Sequence, residues 1–129
     1  MKAFETVKFY QCKHCGNMVL SIMNSGVPMM CCGEKMVELD PGVQDGAHEK
    51  HLPVVERDGD LVKVSVGSVE HPMVDAHFIQ WVTLHTDAGV YTKTLAPGQA
   101  PKVEFVLHNE NPIAVYEYCN LHGLWKTEF

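Results

Sequence analysis

The sequence predicts an all-β fold of antiparallel strands arranged in two units. Turn-forming residues recur roughly every 8–12 positions after residue 50, which is typical of a β-sandwich. No segment keeps a helical periodicity for more than a turn or two. Cysteines and histidines are also segregated, because four of the five cysteines precede residue 33 and six of the eight histidines follow residue 50. This division favours two units with different chemistry.

Five segments after residue 50 have the composition of strands, with alternating hydrophobic residues or many β-branched and aromatic side chains. These segments are 61–66, 78–84, 90–95, 103–107 and 113–118. Asp87-Ala88-Gly89 separates the second from the third and predicts a turn. The order of short strands and turns predicts an antiparallel sandwich.

Residues 1–37 form a candidate first domain that is too short to be held together by a hydrophobic core alone. Below about 40 residues a metal, a disulfide or a partner is usually needed. Residues 38–48 contain many turn formers and predict a linker. The second domain is therefore expected at 49–129.

The formal net charge of −6 is unfavourable for binding nucleic acid, because that affinity comes mainly from Lys and Arg on phosphates. An anionic substrate would need a local cation, and Lys50 is the candidate. No apolar run approaches the roughly 20 residues that span a bilayer. No apolar signal segment follows Met1, so we expect the cytoplasm.

The first candidate metal site combines a Cys-x-x-Cys pair with two adjacent cysteines, namely Cys12, Cys15, Cys31 and Cys32. Four thiolates at this spacing are typical of tetrahedral zinc or iron, and spacing alone does not choose between them. Reduced core cysteines or a redox disulfide are the alternatives. Because neighbouring side chains usually point apart, Cys31 and Cys32 predict a distorted tetrahedron. His14 is expected to be an exposed loop residue.

The second candidate site is centred on Cys119-x-x-His122, whose two donors can face one ion from a single turn. His71 and His77 form another pair, with Pro72 holding His71 extended, and His51 opens the domain. One thiolate with several imidazoles suits iron, copper or zinc. Ordinary surface or core positions are expected for the remaining histidines of this region, His48, His85 and His108.

Together these motifs resemble the desulfoferrodoxins, the two-iron superoxide reductases, over nearly the whole chain. The segments that carry the resemblance are Glu49-Lys50-His51, His71-Pro72-Met73 through His77, and Glu117-Tyr118-Cys119-Asn120-Leu121-His122-Gly123. The resemblance implies a desulforedoxin-like N-terminal domain, an immunoglobulin-like β-sandwich and a homodimer. It also implies one iron ion in each domain. In the second, His51, His71, His77 and His122 would lie in an equatorial plane with Cys119 axial.

The implied activity is one-electron reduction of superoxide to hydrogen peroxide at ferrous iron, without production of dioxygen. Lys50 is expected to attract the anion and to organise the water that supplies protons. Glu49 resembles the family glutamate that occupies the sixth position of ferric iron after turnover. Backbone N–H groups of Leu121 and His122 are expected to hydrogen-bond the Cys119 sulfur. The electron donor would be a protein such as rubredoxin.

Two other functions are compatible with parts of the sequence. A rubredoxin-like electron-transfer protein would use only the four-cysteine site and leave the second metal site without a catalytic role. A zinc-stabilised binding module would make both sites structural and the protein colourless. Thiolate-bound iron would instead absorb visible light.

Overall fold

The structure, a computed structural model, describes residues 2–42 and 46–129. The chain divides into two compact units, Met1–Asp40 and Pro41–Phe129. Part of the predicted linker, residues 43–45, lies outside the described residues. No helix in the described part of the chain is long and apolar enough to cross a membrane.

The first unit contains five short strands. These are β1 (Lys8–Gln11), β2 (Met18–Ser21), β3 (Met30–Cys31), β4 (Glu34–Lys35) and β5 (Val37–Glu38). Strand β1 lies between β2 and β5 in an antiparallel sheet, and β3 pairs with β4 as a separate hairpin. Within residues 2–40, the buried hydrophobic side chains are Phe9, Cys12 and Leu39. So small a core supports the expectation that this unit depends on a metal.

Two turns of the first unit carry its cysteines. The Cys12–Cys15 turn closes when the Gly16 N–H donates to the Cys12 carbonyl at 2.9 Å, and Gly16 takes a φ of +86°. Strands β3 and β4 are joined by Cys32 and Gly33, with φ of +52° and +75°. Positive φ at both central residues is the signature of a type I′ hairpin turn.

The second unit contains one helical turn and seven strands. These are α1 (His48–His51), β6 (Pro53–Asp58), β7 (Leu61–Val66), β8 (Ile79–Thr86), β9 (Val90–Thr94), β10 (Lys102–Val106), β11 (Pro112–Cys119) and β12 (Gly123–Glu128). The strands form antiparallel sheets in the orders β10-β7-β6 and β12-β11-β8-β9. Strands from both sheets contribute to one hydrophobic cluster that includes Val64, Val82, Phe105 and Val115. Two sheets that share one core form a sandwich, and sheets of three and four strands match the immunoglobulin constant type.

The predicted all-β fold is confirmed, and so are its five predicted strands, with small shifts at their ends. Strands β6 and β12 were missed. Gly123, with a φ of +79°, begins β12 and pairs with Cys119.

A buried carboxylate ties together one end of the sandwich. The Oε1 atom of Glu110 accepts hydrogen bonds from the hydroxyl groups of Thr86 and Tyr91, and its Oε2 atom accepts from the His108 N–H at 2.9 Å. The bond from Thr86 is the largest of the effects that hold the pKa of Glu110 below its usual value of 4.5. The ionised carboxylate therefore stabilises the folded state.

We predict that Glu110→Gln lowers the free energy of unfolding at pH 7, and that the difference shrinks in acid. Because the folded-state pKa of Glu110 is lowered, its stabilisation is fully present above the unfolded value near 4.5 and is lost as the pH falls through the folded-state pKa. Urea titrations between pH 7 and pH 3.5 measure the difference, with exposed Glu104→Gln as the control. A difference that stays constant over this range would contradict the assignment.

Candidate metal centres

The first candidate centre gathers four sulfur atoms from two turns. The Sγ atoms of Cys12, Cys15, Cys31 and Cys32 all lie within 4.8 Å of one another, and none forms a disulfide. The Cys15 and Cys31 sulfurs are 3.6 Å apart. In a tetrahedron with metal–sulfur distances of about 2.3 Å the edge is about 3.8 Å. The four sulfurs thus fit one tetrahedral ion.

Backbone amides favour thiolate at this centre. The Cys15 N–H donates to the Cys12 sulfur at 3.4 Å, and the Asn17 N–H donates to the Cys15 sulfur at 3.5 Å. The first of these bonds is the main reason that the pKa of Cys12 falls to about 6. Hydrogen bonds with Cys15 and Cys12 raise the pKa of Cys32 to about 12. A metal must displace the remaining protons, so its affinity depends on pH.

The left-handed backbone of Cys32 explains how adjacent cysteines can serve one site. In an ordinary strand the Cys31 and Cys32 side chains would lie on opposite faces. With a φ of +52°, Cys32 turns the chain so that its sulfur joins that of Cys31. His14 is exposed and lies outside the donor group.

The second candidate centre gathers five donors from four parts of the second unit. His51 ends α1, His71 and His77 lie between β7 and β8, Cys119 ends β11, and His122 lies in the turn before β12. Their ligand atoms all lie within 4.8 Å of one another. The structure therefore brings together every histidine and cysteine predicted for this site.

The four imidazole rings lie at the corners of a square. Neighbouring ring centroids are 4.6 Å apart for His51–His71 and for His71–His77, 5.0 Å for His77–His122 and 4.8 Å for His51–His122. The diagonal between His51 and His77 is 6.4 Å. His71 and His122 therefore occupy the other diagonal. Neighbouring rings are tilted by 74° to 84°, so each presents an edge to the centre.

The ring nitrogens that face the centre are fixed by hydrogen bonds on the opposite side of the rings. The Nδ1 atoms of His51 and His71 lie 2.7 Å from the carbonyl oxygens of Ala47 and Pro72. A protonated Nδ1 leaves the Nε2 lone pair free to bind a metal. The Nε2 of His51 lies 3.1 Å from the Nε2 of His71 and 3.1 Å from the Nδ1 of His122.

This arrangement fits a metal ion better than a hydrogen-bond network. Burial is the largest of the effects that lower the pKa values of His51, His71 and His77, and the pKa of His71 falls to about 4. These three rings are therefore neutral at pH 7. The Nε2 of His77 is buried and has no hydrogen-bond partner in the described ranges. With both Nδ1 atoms protonated, the Nε2 lone pairs of His51 and His71 face each other at 3.1 Å, an arrangement that favours a cation between them. Imidazole nitrogens with one thiolate suit iron.

Cys119 approaches the square from the hydrophobic core. Its side chain is fully buried, and it belongs to the same hydrophobic cluster as Val115. A register shift between Tyr118 and Cys119, relative to β8, changes the direction of the strand end. Burial raises the pKa of Cys119, while hydrogen bonds from the backbone N–H groups of His122 and Leu121 lower it. These two N–H groups were expected to bond the sulfur.

The helical turn α1 is held by the residues that follow β7. The Val69 N–H and the Ser68 hydroxyl both donate to the Glu49 carbonyl, at 2.9 and 3.2 Å. Gly67 has a φ of +84°, and a Cβ there would lie 2.6 Å from the Lys50 carbonyl oxygen. Only glycine allows this close approach, which fixes the turn that carries His51.

Glu49 and Lys50 are exposed on α1 and immediately precede His51 in the chain. The charge of Lys50 contributes, after burial and neighbouring histidines, to the lowered pKa values of His51 and His77. Within residues 2–42 and 46–129, no carboxylate forms an ion pair with Lys50. The Glu49 carboxylate is not among the five clustered donors.

Trp125 contacts the centre, a role that no sequence motif indicates. The indole is fully buried and stacks on the His51 ring at a centroid distance of 4.9 Å. Its Nε1–H donates to the His122 carbonyl at 3.0 Å. A tryptophan in a strand predicts only a core position. Its contact with two ligands depends on long-range packing.

Comparisons with known proteins agree with this chemistry. A family model described as desulfoferrodoxin matches residues 43–128. The desulfoferrodoxin of Nitratidesulfovibrio vulgaris is 47% identical over 121 residues, covering 94% of this chain and 95% of that protein. The crystal structure of the superoxide reductase from Treponema pallidum has a TM-score of 0.80 and 38% identity, and covers 95% of this chain and 98% of that chain.

A shorter relative matches part of the chain. The one-iron superoxide reductase of Giardia intestinalis has a TM-score of 0.54 and 29% identity, and covers 63% of this chain and 97% of its own. The resemblance inferred from the sequence motifs is confirmed. The chain belongs to the desulfoferrodoxin family.

Proposed function

We propose that this protein is a superoxide reductase that converts superoxide to hydrogen peroxide by one-electron reduction, without forming dioxygen. The observation that carries the proposal is the square of four imidazoles with one buried cysteine sulfur beside it. Iron bound by His51, His71, His77, His122 and Cys119 would supply the electron. Relatives named superoxide reductase, including that of Treponema pallidum, support the activity.

The position of Cys119 determines which side of the square is left for substrate. Its sulfur is fully buried in the core, whereas His77 and His122 are half-buried. We infer that Cys119 is the axial ligand and that the opposite side, toward solvent, receives superoxide. A site with one vacant position is typical of catalytic metal centres. As a thiolate, Cys119 would donate electron density to the bound iron, and the backbone N–H groups of His122 and Leu121 would limit that donation.

Lys50 is proposed to attract superoxide and to hold the water that delivers protons. Its charge reaches His51 and His77, and it is a local cation in a chain with a net charge of −6. Glu49, its neighbour, is proposed to bind ferric iron after turnover, since a carboxylate is a hard donor that prefers the higher charge. It would thereby help to expel product.

The four-cysteine centre is proposed to hold a second iron ion that exchanges electrons only. Four thiolates complete its tetrahedron and leave no position for substrate. An external donor such as rubredoxin would supply the electrons, and a homodimer is the proposed assembly. Five cysteines without disulfides suit a reducing compartment, for which we propose the cytoplasm.

Metal analysis combined with pulse radiolysis tests the proposed function. We expect two iron ions per chain, visible absorption after oxidation with ferricyanide, and one hydrogen peroxide formed per superoxide consumed by the reduced protein. A colourless zinc protein would establish the structural alternative. Iron at the four-cysteine site alone, with no reaction toward superoxide, would establish the rubredoxin-like alternative.

We predict that Lys50→Ile slows the second-order reaction with superoxide by about tenfold at low ionic strength, because local positive charge raises the rate of anion encounter. The loss should shrink as salt screens the charge. Lys63→Ile, which removes an exposed lysine from β7, is the control for the change in net charge. Pulse radiolysis measures both variants. Equal rate constants for the two would refute the role of Lys50.

We predict that Glu49→Ala changes the absorption spectrum of the oxidised second centre and its pH dependence, because solvent replaces the carboxylate ligand. The encounter with superoxide should not slow, since Lys50 is unchanged and the variant removes a negative charge beside it. Exposed Glu56→Ala on β6 serves as the control. A Glu49→Ala spectrum and titration that match those of the parent protein would show that Glu49 does not bind iron.

A further inference from the structure

Two irregular segments of the second unit must meet with atomic accuracy for the square to form. Cys119 ends β11 and His122 lies in the turn that follows it, whereas His77 lies in the segment between β7 and β8. Loop segments are less rigid than the strands they connect. A ligand on such a loop needs contacts that fix its backbone or its ring.

His77 lacks the ring contact that fixes two of the other ligands. The rings of His51 and His71 are each held by a carbonyl oxygen 2.7 Å from Nδ1. For His77, no ring nitrogen has a hydrogen-bond partner other than the centre itself among residues 2–42 and 46–129. The position of this ring therefore depends on its backbone. Val74 supports that backbone, because each of the two residues donates its N–H to the other's carbonyl at 3.0 Å.

Asn120 binds the chain on both sides of His77. Its Oδ1 atom accepts a hydrogen bond from the Phe78 N–H at 2.9 Å, and its Nδ2–H donates to the Ala76 carbonyl at 3.0 Å. Its own backbone N–H lies 3.3 Å from the Phe78 carbonyl oxygen. The side-chain oxygen of Asn120 accepts from an N–H group and its side-chain nitrogen donates to a carbonyl, so both polar groups of the amide are hydrogen-bonded.

We propose that Asn120 is a positioning residue that locks His77 to the turn carrying Cys119 and His122. Asn120 directly follows Cys119 in the chain. Any movement of the chain at Cys119 therefore also moves Ala76 and Phe78, the two neighbours of His77 that Asn120 binds. The inference rests on the proposed function only in requiring that the five donors bind a metal. Both polar atoms of the Asn120 side chain are used in bonds to the backbone, which is why its proposed role is positioning and not metal binding.

Loss of iron from the second centre to a strong chelator tests the proposal in the iron-loaded protein. Asn120→Ala removes both side-chain bonds and should speed iron loss by about 10- to 100-fold, the usual effect of removing a group that supports a ligand. The ferric electron paramagnetic resonance signal of this centre should also change. The absorption of the four-cysteine centre should not.

The matched control is Asn111→Ala. Asn111 also uses its side chain to join two segments, donating from Nδ2 to the Asp87 carboxylate at 2.9 Å, but it lies in an exposed turn outside the metal-binding group. Its removal should leave iron loss unchanged. If Asn120→Ala fails to fold, Asn120→Ser replaces it, because a serine side chain is too short to bond both Phe78 and Ala76. Asn111→Ser is then the control.

A double-mutant cycle decides whether Asn120 acts through His77. In a His77→Ala background, Asn120→Ala should change the rate of iron loss by less than twofold, because the group it positions is gone. A full effect in that background, or iron loss no faster than in Asn111→Ala, would overturn the proposal. The reaction of the parent protein with superoxide is measured separately. If the parent protein does not reduce superoxide but the double-mutant cycle gives the expected result, the proposed function is refuted and the positioning role of Asn120 is retained.

Discussion

The second unit is organised around five electron-pair donors whose ligand atoms all lie within 4.8 Å of one another. The Nε2 atom of His51 lies 3.1 Å from the Nε2 of His71 and 3.1 Å from the Nδ1 of His122, and burial lowers the pKa values of His51 and His71, which keeps these two rings neutral. Without a cation, these lone pairs would repel each other in a region from which water is largely excluded. Metal binding and correct folding around the site are therefore linked, since the same contacts serve both.

Departures from regular strand geometry place the donors. A register shift precedes Cys119, and a left-handed Gly67 packs against the carbonyl of Lys50 in α1. In the first unit a left-handed Cys32 brings two adjacent sulfurs to one point. The sandwich core makes the second unit rigid, while these irregular backbone positions determine the direction in which the ligand side chains point. Because a regular strand sends alternate side chains to opposite faces, it could not gather them.

The sequence predicted the donors well because their chemistry is local. Cys-x-x-Cys and Cys-x-x-His each lie in one turn, and the strands have a period that short segments reveal. The order of the rings around the square could not be predicted, since His51 lies opposite His77 only after two sheets have packed. Trp125 and Asn120 were missed as supporting residues for the same reason. Their partners lie in distant segments or depend on an exact ring orientation.

The two centres differ in what their donors leave open. Four thiolates around one ion use every tetrahedral position, so the first centre can exchange an electron but has no place for a substrate. Four imidazoles in a square use one plane, and the fully buried Cys119 is the ligand that we propose for the buried side of it. That leaves the solvent side as the direction of approach for a small anion.

Lys50 is exposed and close enough for its charge to influence His51 and His77. A positive charge near an open metal position favours arrival of an anion, whereas the same lysine near a closed centre would have no catalytic use. The donor sets thus confine substrate chemistry to the second unit, whatever the source of its electrons.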